Sequence, residues 1–205
     1  MKTVKTLVYF DIEATGLKSS GKPRISEISL VAVNVHDFLN LSAKLSKLKS
    51  KPTDKAMLEQ VVPRVVNKLT LCVYPMAPIL PTVSSITGLD NYNLTEQANF
   101  DENTANLLSS FLSRLPRPVC LVAHNGDHYD FPLLKAELEK VDGSIGNDVW
   151  CDDSYIGIKE IFSNCKNKDP ENLYSSEKID KELQEVEKLI AMGEFDTTME
   201  DETID

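Results

Sequence analysis

The feature that most constrains this chain lies near its start, in Thr6-Leu7-Val8-Tyr9-Phe10-Asp11-Ile12-Glu13-Ala14-Thr15-Gly16-Leu17. A strand period of two puts Leu7, Tyr9, Asp11 and Glu13 on one face and Val8, Phe10 and Ile12 on the other. The run reads as a core strand from whose end two acids project side by side. Paired carboxylates in that position repel each other and lose hydration, which is costly unless a cation compensates them. Hard oxygen ligands in pairs suit Mg²⁺ or Mn²⁺, ions that clamp phosphoryl groups electrostatically. A bare Asp-x-Glu is more often a solvated strand end. The Ala-Thr-Gly-Leu that follows, together with a second acid site later in the chain, shifts the balance.

The chain has 205 residues, 41% of them hydrophobic. That suits one α/β domain with an appendage, or a domain whose end is missing. No apolar run approaches the ~20 residues that span a bilayer, and the first strand follows Met1 too closely for a signal peptide. The expectation is an intracellular protein, cytoplasmic or nuclear, with no membrane partner. Cys72, Cys120, Cys151 and Cys165 form no Cys-x-x-Cys pair and are expected to be buried, reduced thiols. The net charge is −10, but residues 176–205 hold eleven acids and three lysines, a net −8, so the body carries only −2. A near-neutral body neither supports nor excludes a nucleic-acid partner when bound cations can bridge phosphates.

After the first strand, a turn through Gly21 leads into a second strand over Ile25–Val35, and the short connection predicts an antiparallel hairpin. His36 to Pro63 reads as an irregular excursion with one helical turn, its lysines a solvated face. Val65–Tyr74 is a third strand, and Thr82–Ile86 starts a short helix that Gly88 ends. Asp101 is a predicted N-cap for a helix to about Leu115, with Ala105, Leu108, Phe111, Leu112 and Leu115 on one face. Val119–Asn125 reads as a buried strand, and Pro132 suits the first turn of a helix to about Val141. Asn147–Cys151 predicts a last strand, with Ser154 capping a helix through Phe162. Residues 176–192 carry a thin apolar stripe at helical spacing, and the acidic end beyond them predicts disorder. The domain is expected over 1–165, with an acidic helical and disordered segment over 166–205.

Asp130 opens the helix that follows His124-Asn125-Gly126-Asp127-His128-Tyr129. It is either a plain N-cap or a third carboxylate facing Asp11 and Glu13, and spacing alone leaves both open. Phe10-Asp11-Ile12-Glu13-Ala14-Thr15-Gly16-Leu17, Ile86-Thr87-Gly88-Leu89, and Leu121 through Gly126 with Tyr129 through Leu134 together resemble the TREX (three-prime repair exonuclease) family. Its members are DEDDh exonucleases of the ribonuclease H-like fold, and the likeness runs from about Lys5 to Ile161. The resemblance implies a mixed central sheet flanked by helices and a two-metal 3′→5′ exonuclease. Such an enzyme releases nucleoside monophosphates from DNA, preferably from a single-stranded 3′ end. Asp11, Glu13 and Asp130 would be the catalytic acids and hold two Mg²⁺, with Mn²⁺ as a substitute. Glu13 and Ala14 would contact the terminal nucleotide, and Leu17 and Ile86 would wedge against its base. His124 and Tyr129 would line the strand's path, and Asn125 would brace the site. For Leu17, Ile86 and Tyr129 taken singly, ordinary packing is the better reading. The family also forms homodimers through edge strands.

The family's third motif, His-x-x-x-x-Asp, is absent: His36, His124 and His128 are the three histidines, and none has Asp five residues on. The domain is therefore expected to lack its C-terminal part, with Asp152 and Asp153 structural. Loss of a general base typically costs about 10²–10⁴-fold in rate. Two functional readings stand: a DNA exonuclease, truncated or weakly active, or an inactive homologue that binds DNA ends or protein. A third, a structural protein with no nucleic-acid role, would bind no metal at these acids.

Overall fold

The alternation in the first strand is realised as β1 (Thr6–Ala14): Val8, Phe10 and Ile12 are buried while Tyr9 and Asp11 face outward. The structure, a computed structural model, describes residues 3–17, 21–45 and 63–165. β1 pairs antiparallel with β2 (Ile25–Asn34), Thr6 opposite Asn34, and the register shifts between Glu13 and Ala14. Such an irregularity re-aims side chains where a strand leaves its sheet. β3 (Val65–Cys72) extends the sheet antiparallel to β2. β4 (Val119–Ala123) returns parallel to the other side of β1, and β5 (Val149–Asp153) lies parallel to β4. The five strands run β3-β2-β1-β4-β5. This is the mixed sheet the sequence implies.

Helix α1 (Val35–Leu45) corrects the reading of residues 36–63 as irregular: eleven residues leave β2 directly as helix, in place of one turn. Its Asn, Ser and His content masked the periodicity, because those residues are weak helix formers. The rest of that excursion lies outside the described residues. α2 (Pro81–Thr87) begins with Pro and ends on Gly88, whose φ of 71° is the left-handed cap that glycine tolerates. α3 (Glu102–Ser113) is capped by Asp101, whose carboxylate accepts from the Thr104 N–H at 2.8 Å. α4 (Asp130–Lys140) fills the connection from β4 to β5, and α5 (Ser154–Cys165) follows β5. β5 sits two residues later than expected, so Ser154 starts the last helix and Asp153 accepts from the Tyr155 N–H at 2.9 Å.

Ala105, Leu108 and Leu112 of α3 and Leu133, Leu134 and Leu138 of α4 pack with Val8, Phe10, Ile12, Ile28 and Leu30 as one core. The expectation of buried cysteines holds for Cys120 alone: Cys72 and Cys151 are free and exposed. Both sit on edge strands, where a side chain has a neighbouring strand on one side only. The Cys165 side chain, the acidic helix over 176–192 and the acidic end lie outside the described residues. The chain divides into two compact units, Met1–Gly157 and Ile158–Asp205. Among the described residues, no helix is long and apolar enough to cross a membrane.

Leu108 is 2% exposed in the middle of α3's inward face. Leu108→Ala is expected to cost about 2–5 kcal/mol through lost burial and the cavity left behind. Urea unfolding checks it: a loss below about 1 kcal/mol would mean that α3 does not seal this core.

Candidate active site

β1, β4 and β5 are parallel, and their C-terminal ends gather the chemistry: Asp11 and Glu13 from β1, the His124–Tyr129 turn after β4, and Asp153 at the end of β5. Carboxyl ends of parallel strands are where α/β sheets commonly take ligands, because the chain leaves the ladder there and exposes side chains. Asp130 stands at the same end as the first residue of α4. It is not the N-cap. That place belongs to Tyr129, which makes no side-chain cap bond. The Asp130 carboxylate instead crosses to β1 and accepts from the Ile12 N–H at 3.1 Å, between Asp11 and Glu13.

The electrostatics follow from that placement. Asp130 is 6% exposed. Burial, then the negative charge of Asp11, pushes its carboxyl up from 3.8 to about 6, against the pull of the Ile12 and Asp130 N–H groups. Asp153 adds to the upward push. Burial also raises Glu13, with Asp11 and Glu27 reinforcing it. Asp11 thus acts on both Asp130 and Glu13.

Local packing fixes the start of α4 on β1. Phe131 stacks on Phe10 with centroids 6.0 Å apart and planes 8° from parallel. The Tyr129 hydroxyl donates to the Gly16 carbonyl at 2.6 Å, tying the loop after Glu13 to the helix. Gly126 makes the turn fit: a Cβ there would lie 2.6 Å from the Ala123 Cβ and 2.8 Å from the Phe131 ring. Asp153 is structural, accepting from the Asn125 and Tyr155 N–H groups at 2.9 Å each and from that of Asp127 at 3.2 Å. Burial raises its carboxyl, but the three N–H groups outweigh that and hold it below the ordinary value. Asn125 takes a φ of 56°, a left-handed conformation that asparagine accepts more readily than most residues.

The other sequence-predicted residues fall around this centre in different ways. Leu17 and Ile86 remain 37% and 64% exposed, and the Leu80 N–H at the start of α2 donates to the Thr15 carbonyl at 3.2 Å. That bond places the helix of Ile86 beside the loop of Leu17. Ala14 is buried. His124 is exposed, with Nδ1 at 3.3 Å from the Ser154 hydroxyl and its ring edge-on to Tyr155. Tyr129 is half-buried, its hydroxyl engaged by Gly16. Sequence reasoning missed Arg24 and Glu137, which pair beneath the site at 2.6 Å. An available signal was Glu137 itself, an acid set among the inward positions of Leu133, Leu134 and Leu138.

The donor set fits a hard dication by its chemistry, three carboxylates whose mutual repulsion a cation would relieve. The side chains are not gathered in advance. Among the described residues, no group of three or more His, Cys, Asp or Glu stands ready to hold a metal ion.

A mixed sheet of this order, with acids at the ends of its central strands, is the architecture of ribonuclease H-like exonucleases. Among solved structures it is similar to E. coli exonuclease I in a zinc-bound complex with single-stranded DNA. The TM-score is 0.55 at 14% identity, covering 84% of this chain and 32% of that one. The same enzyme with a dT13 oligonucleotide matches at 0.53, with 13% identity over 83% and 31% of the two chains. At that identity the likeness is one of fold. No protein-family model matches the chain. Three-prime repair exonuclease 1 of Bos taurus is 43% identical over 161 residues, 77% of this chain and 48% of that protein. Three prime repair exonuclease 2 of Homo sapiens is 42% identical over 159 residues, 77% of this chain and 62% of that protein. The chain thus spans about half to three-fifths of the length of these relatives. Over that span the chain is similar to three-prime repair exonucleases.

Because Asp130's folded value lies above the ordinary one, protonation favours the fold. With no cation bound, this stability is present below about pH 4 and lost as pH rises through about 6. Asp130→Asn keeps an oxygen for the Ile12 N–H and removes the charge. In EDTA it is expected to melt higher than the parent chain near pH 8, the gain closing below about pH 4. Equal melting temperatures near pH 8 would show that the charge costs the fold nothing. Gly126→Ala is expected to lower the melting temperature by several degrees, through the collision with Ala123 and Phe131.

Proposed function

We propose that this chain carries a 3′→5′ exonuclease unit that shortens DNA from a single-stranded 3′ end and releases nucleoside monophosphates. One observation carries the reading: Asp130, 118 residues away in sequence, reaches β1 between Asp11 and Glu13. An N-cap or a solvated acid has no need of that crossing. The relatives' names as repair exonucleases support the activity, and the solved complexes of exonuclease I with single-stranded DNA support the substrate class.

In this reading Asp11, Glu13 and Asp130 hold two Mg²⁺, or Mn²⁺ in their place. When bound, the cations supply an activated water and offset charge on the departing 3′-oxygen. The chain's own residues hold and orient the DNA end. Glu13 and Ala14 meet the terminal nucleotide, and the exposed Leu17 and Ile86 offer apolar surface to its base. His124 and Tyr129 border the strand, and Asn125 braces the turn. A strand held by stacking and phosphate contacts gives little sequence preference. Residues 1–165 form the exonuclease unit and 166–205 an acidic appendage. A DNA substrate suits an intracellular, cytoplasmic or nuclear protein. β3 as an edge strand supports a homodimer formed by strand pairing.

A second reading, a module that binds DNA ends or protein without cutting, is favoured by two observations. The sequence holds no His-x-x-x-x-Asp, and no three acids stand ready around an ion among the described residues. The deciding experiment is incubation of 5′-labelled single-stranded DNA with the whole chain and Mg²⁺. Stepwise shortening is expected, abolished by EDTA and slowed at least about 100-fold by Asp11→Asn. DNA bound but unshortened would establish the second reading. Neither binding nor cutting would overturn both.

A further inference from the structure

Two helical turns along α4 from Asp130 lies a buried charged contact. Glu137 is 1% exposed, and its carboxylate takes a fork from Arg24, Nε to Oε1 at 2.6 Å and Nη2 to Oε2 at 3.3 Å. Lys140 adds a bond to Oε1 at 3.0 Å from the half-exposed rim of the helix. Arg24 is in turn locked to Thr15. The Thr15 N–H donates to the Arg24 carbonyl at 2.9 Å, and the Arg24 N–H donates to the Thr15 hydroxyl at 3.1 Å. Thr15 lies two residues beyond Glu13, and Glu137 lies two helical turns beyond Asp130 on the same face of α4.

These contacts close a ring. It runs from Glu13 through Thr15 and Arg24 to Glu137, along α4 to Asp130, and back through the Ile12 N–H to β1. The Phe10–Phe131 stack and the Ile12–Asp130 bond fix the first turn of α4, and Leu134 and Leu138 pack its further turns into the core. Apolar contacts of that kind tolerate small rotations of the helix. The fork two turns further along removes that freedom, because a planar guanidinium on a carboxylate fixes direction as well as distance. A buried ion pair adds little stability over apolar packing of the same volume, so its distinct effect here is geometric.

The geometry points to the Arg24–Glu137 pair as a positioning device of the acid site, which sets Asp130 against Asp11 and Glu13 and so governs their affinity for divalent cations. Neither residue is one of the three acids. The inference rests on the reading that these three acids hold the cations, and the test separates the two.

Mn²⁺ titrated calorimetrically into the whole chain, with no DNA present, reads cation affinity apart from activity. Arg24→Gln is expected to weaken Mn²⁺ binding about tenfold, the low end for residues that orient ligands from behind. Arg24→Lys, which keeps the charge, is expected to recover part of that loss. Leu112→Ala, buried in α3, lowers stability without touching the ring and is expected to leave Mn²⁺ affinity unchanged. The double variant Arg24→Gln/Glu137→Gln leaves no buried carboxylate unpaired, so it keeps the test alive if the single variant fails to fold. It too is expected to bind Mn²⁺ about tenfold more weakly. Parent-like affinity in a folded Arg24→Gln or double variant overturns the positioning role alone. Equal weakening by Leu112→Ala overturns it too, since general loosening would then explain the loss. A parent chain that binds no Mn²⁺ overturns the acid-site reading and this inference with it.

Discussion

Everything at the functional end of this molecule depends on three carboxylates being brought to one end of the sheet, where Asp11 repels both Asp130 and Glu13. Asp130 is nearly sealed from water, and burial together with Asp11 moves its carboxyl to about 6. A free chain would relieve that crowding by moving apart. The fold resists by placing the acids on its most constrained elements: β1 has a strand on either side, and α4 spans the connection between two parallel strands. Repulsion is thereby stored as a preference for positive charge at one place.

The holding contacts differ in kind, and the difference matters. Phe131 on Phe10 is apolar and tolerant of small rotations. The Asp130–Ile12 and Tyr129–Gly16 hydrogen bonds are directional, yet both lie in the first turn of α4. Arg24 and Glu137 act further along the helix, and Gly126 sets how closely its start can approach β4. Some of these groups lie near the acids, but Arg24, Glu137 and Gly126 act on them only through the backbone. That division is the usual way a scaffold gives precision to a site built partly on loops.

How far the fold was legible in the sequence follows the range of the signal. The faces of β1, the cap at Asp101, the proline at the start of α4 and the glycine after α2 are local rules, and each appears where the residues put it. Helix α1 was missed because its polar residues compete with the backbone for hydrogen bonds, hiding a helix that follows straight from β2. The exposure of Cys72 and Cys151 depends on which strands form the edges, a property of topology that no local window carries. Arg24 and Glu137 are 113 residues apart, so only the folded chain reveals the partner. Asp130 lies between these extremes. Its place at a helix start was legible, but the choice between cap and cross-strand contact was not.

The apolar residues near the acids complete the physical argument. A single exposed leucine or isoleucine is ordinary on a protein surface and asks for no explanation. Leu17 and Ile86 are different because of what carries them. Leu17 follows the loop that Tyr129 and Arg24 fasten, and Ile86 rides on a helix whose N-cap residue, Leu80, donates its N–H to the Thr15 carbonyl in that loop. The backbone bonds that order the acids therefore also order these two side chains. A polyanion approaching the carboxylates alone would be repelled. In the proposed exonuclease reading, cations would answer that repulsion for the phosphates, while apolar surface beside them would suit the flat faces of bases. The two demands of a DNA end, compensated charge and a surface for stacking, would then fall to one loop and the helix it touches.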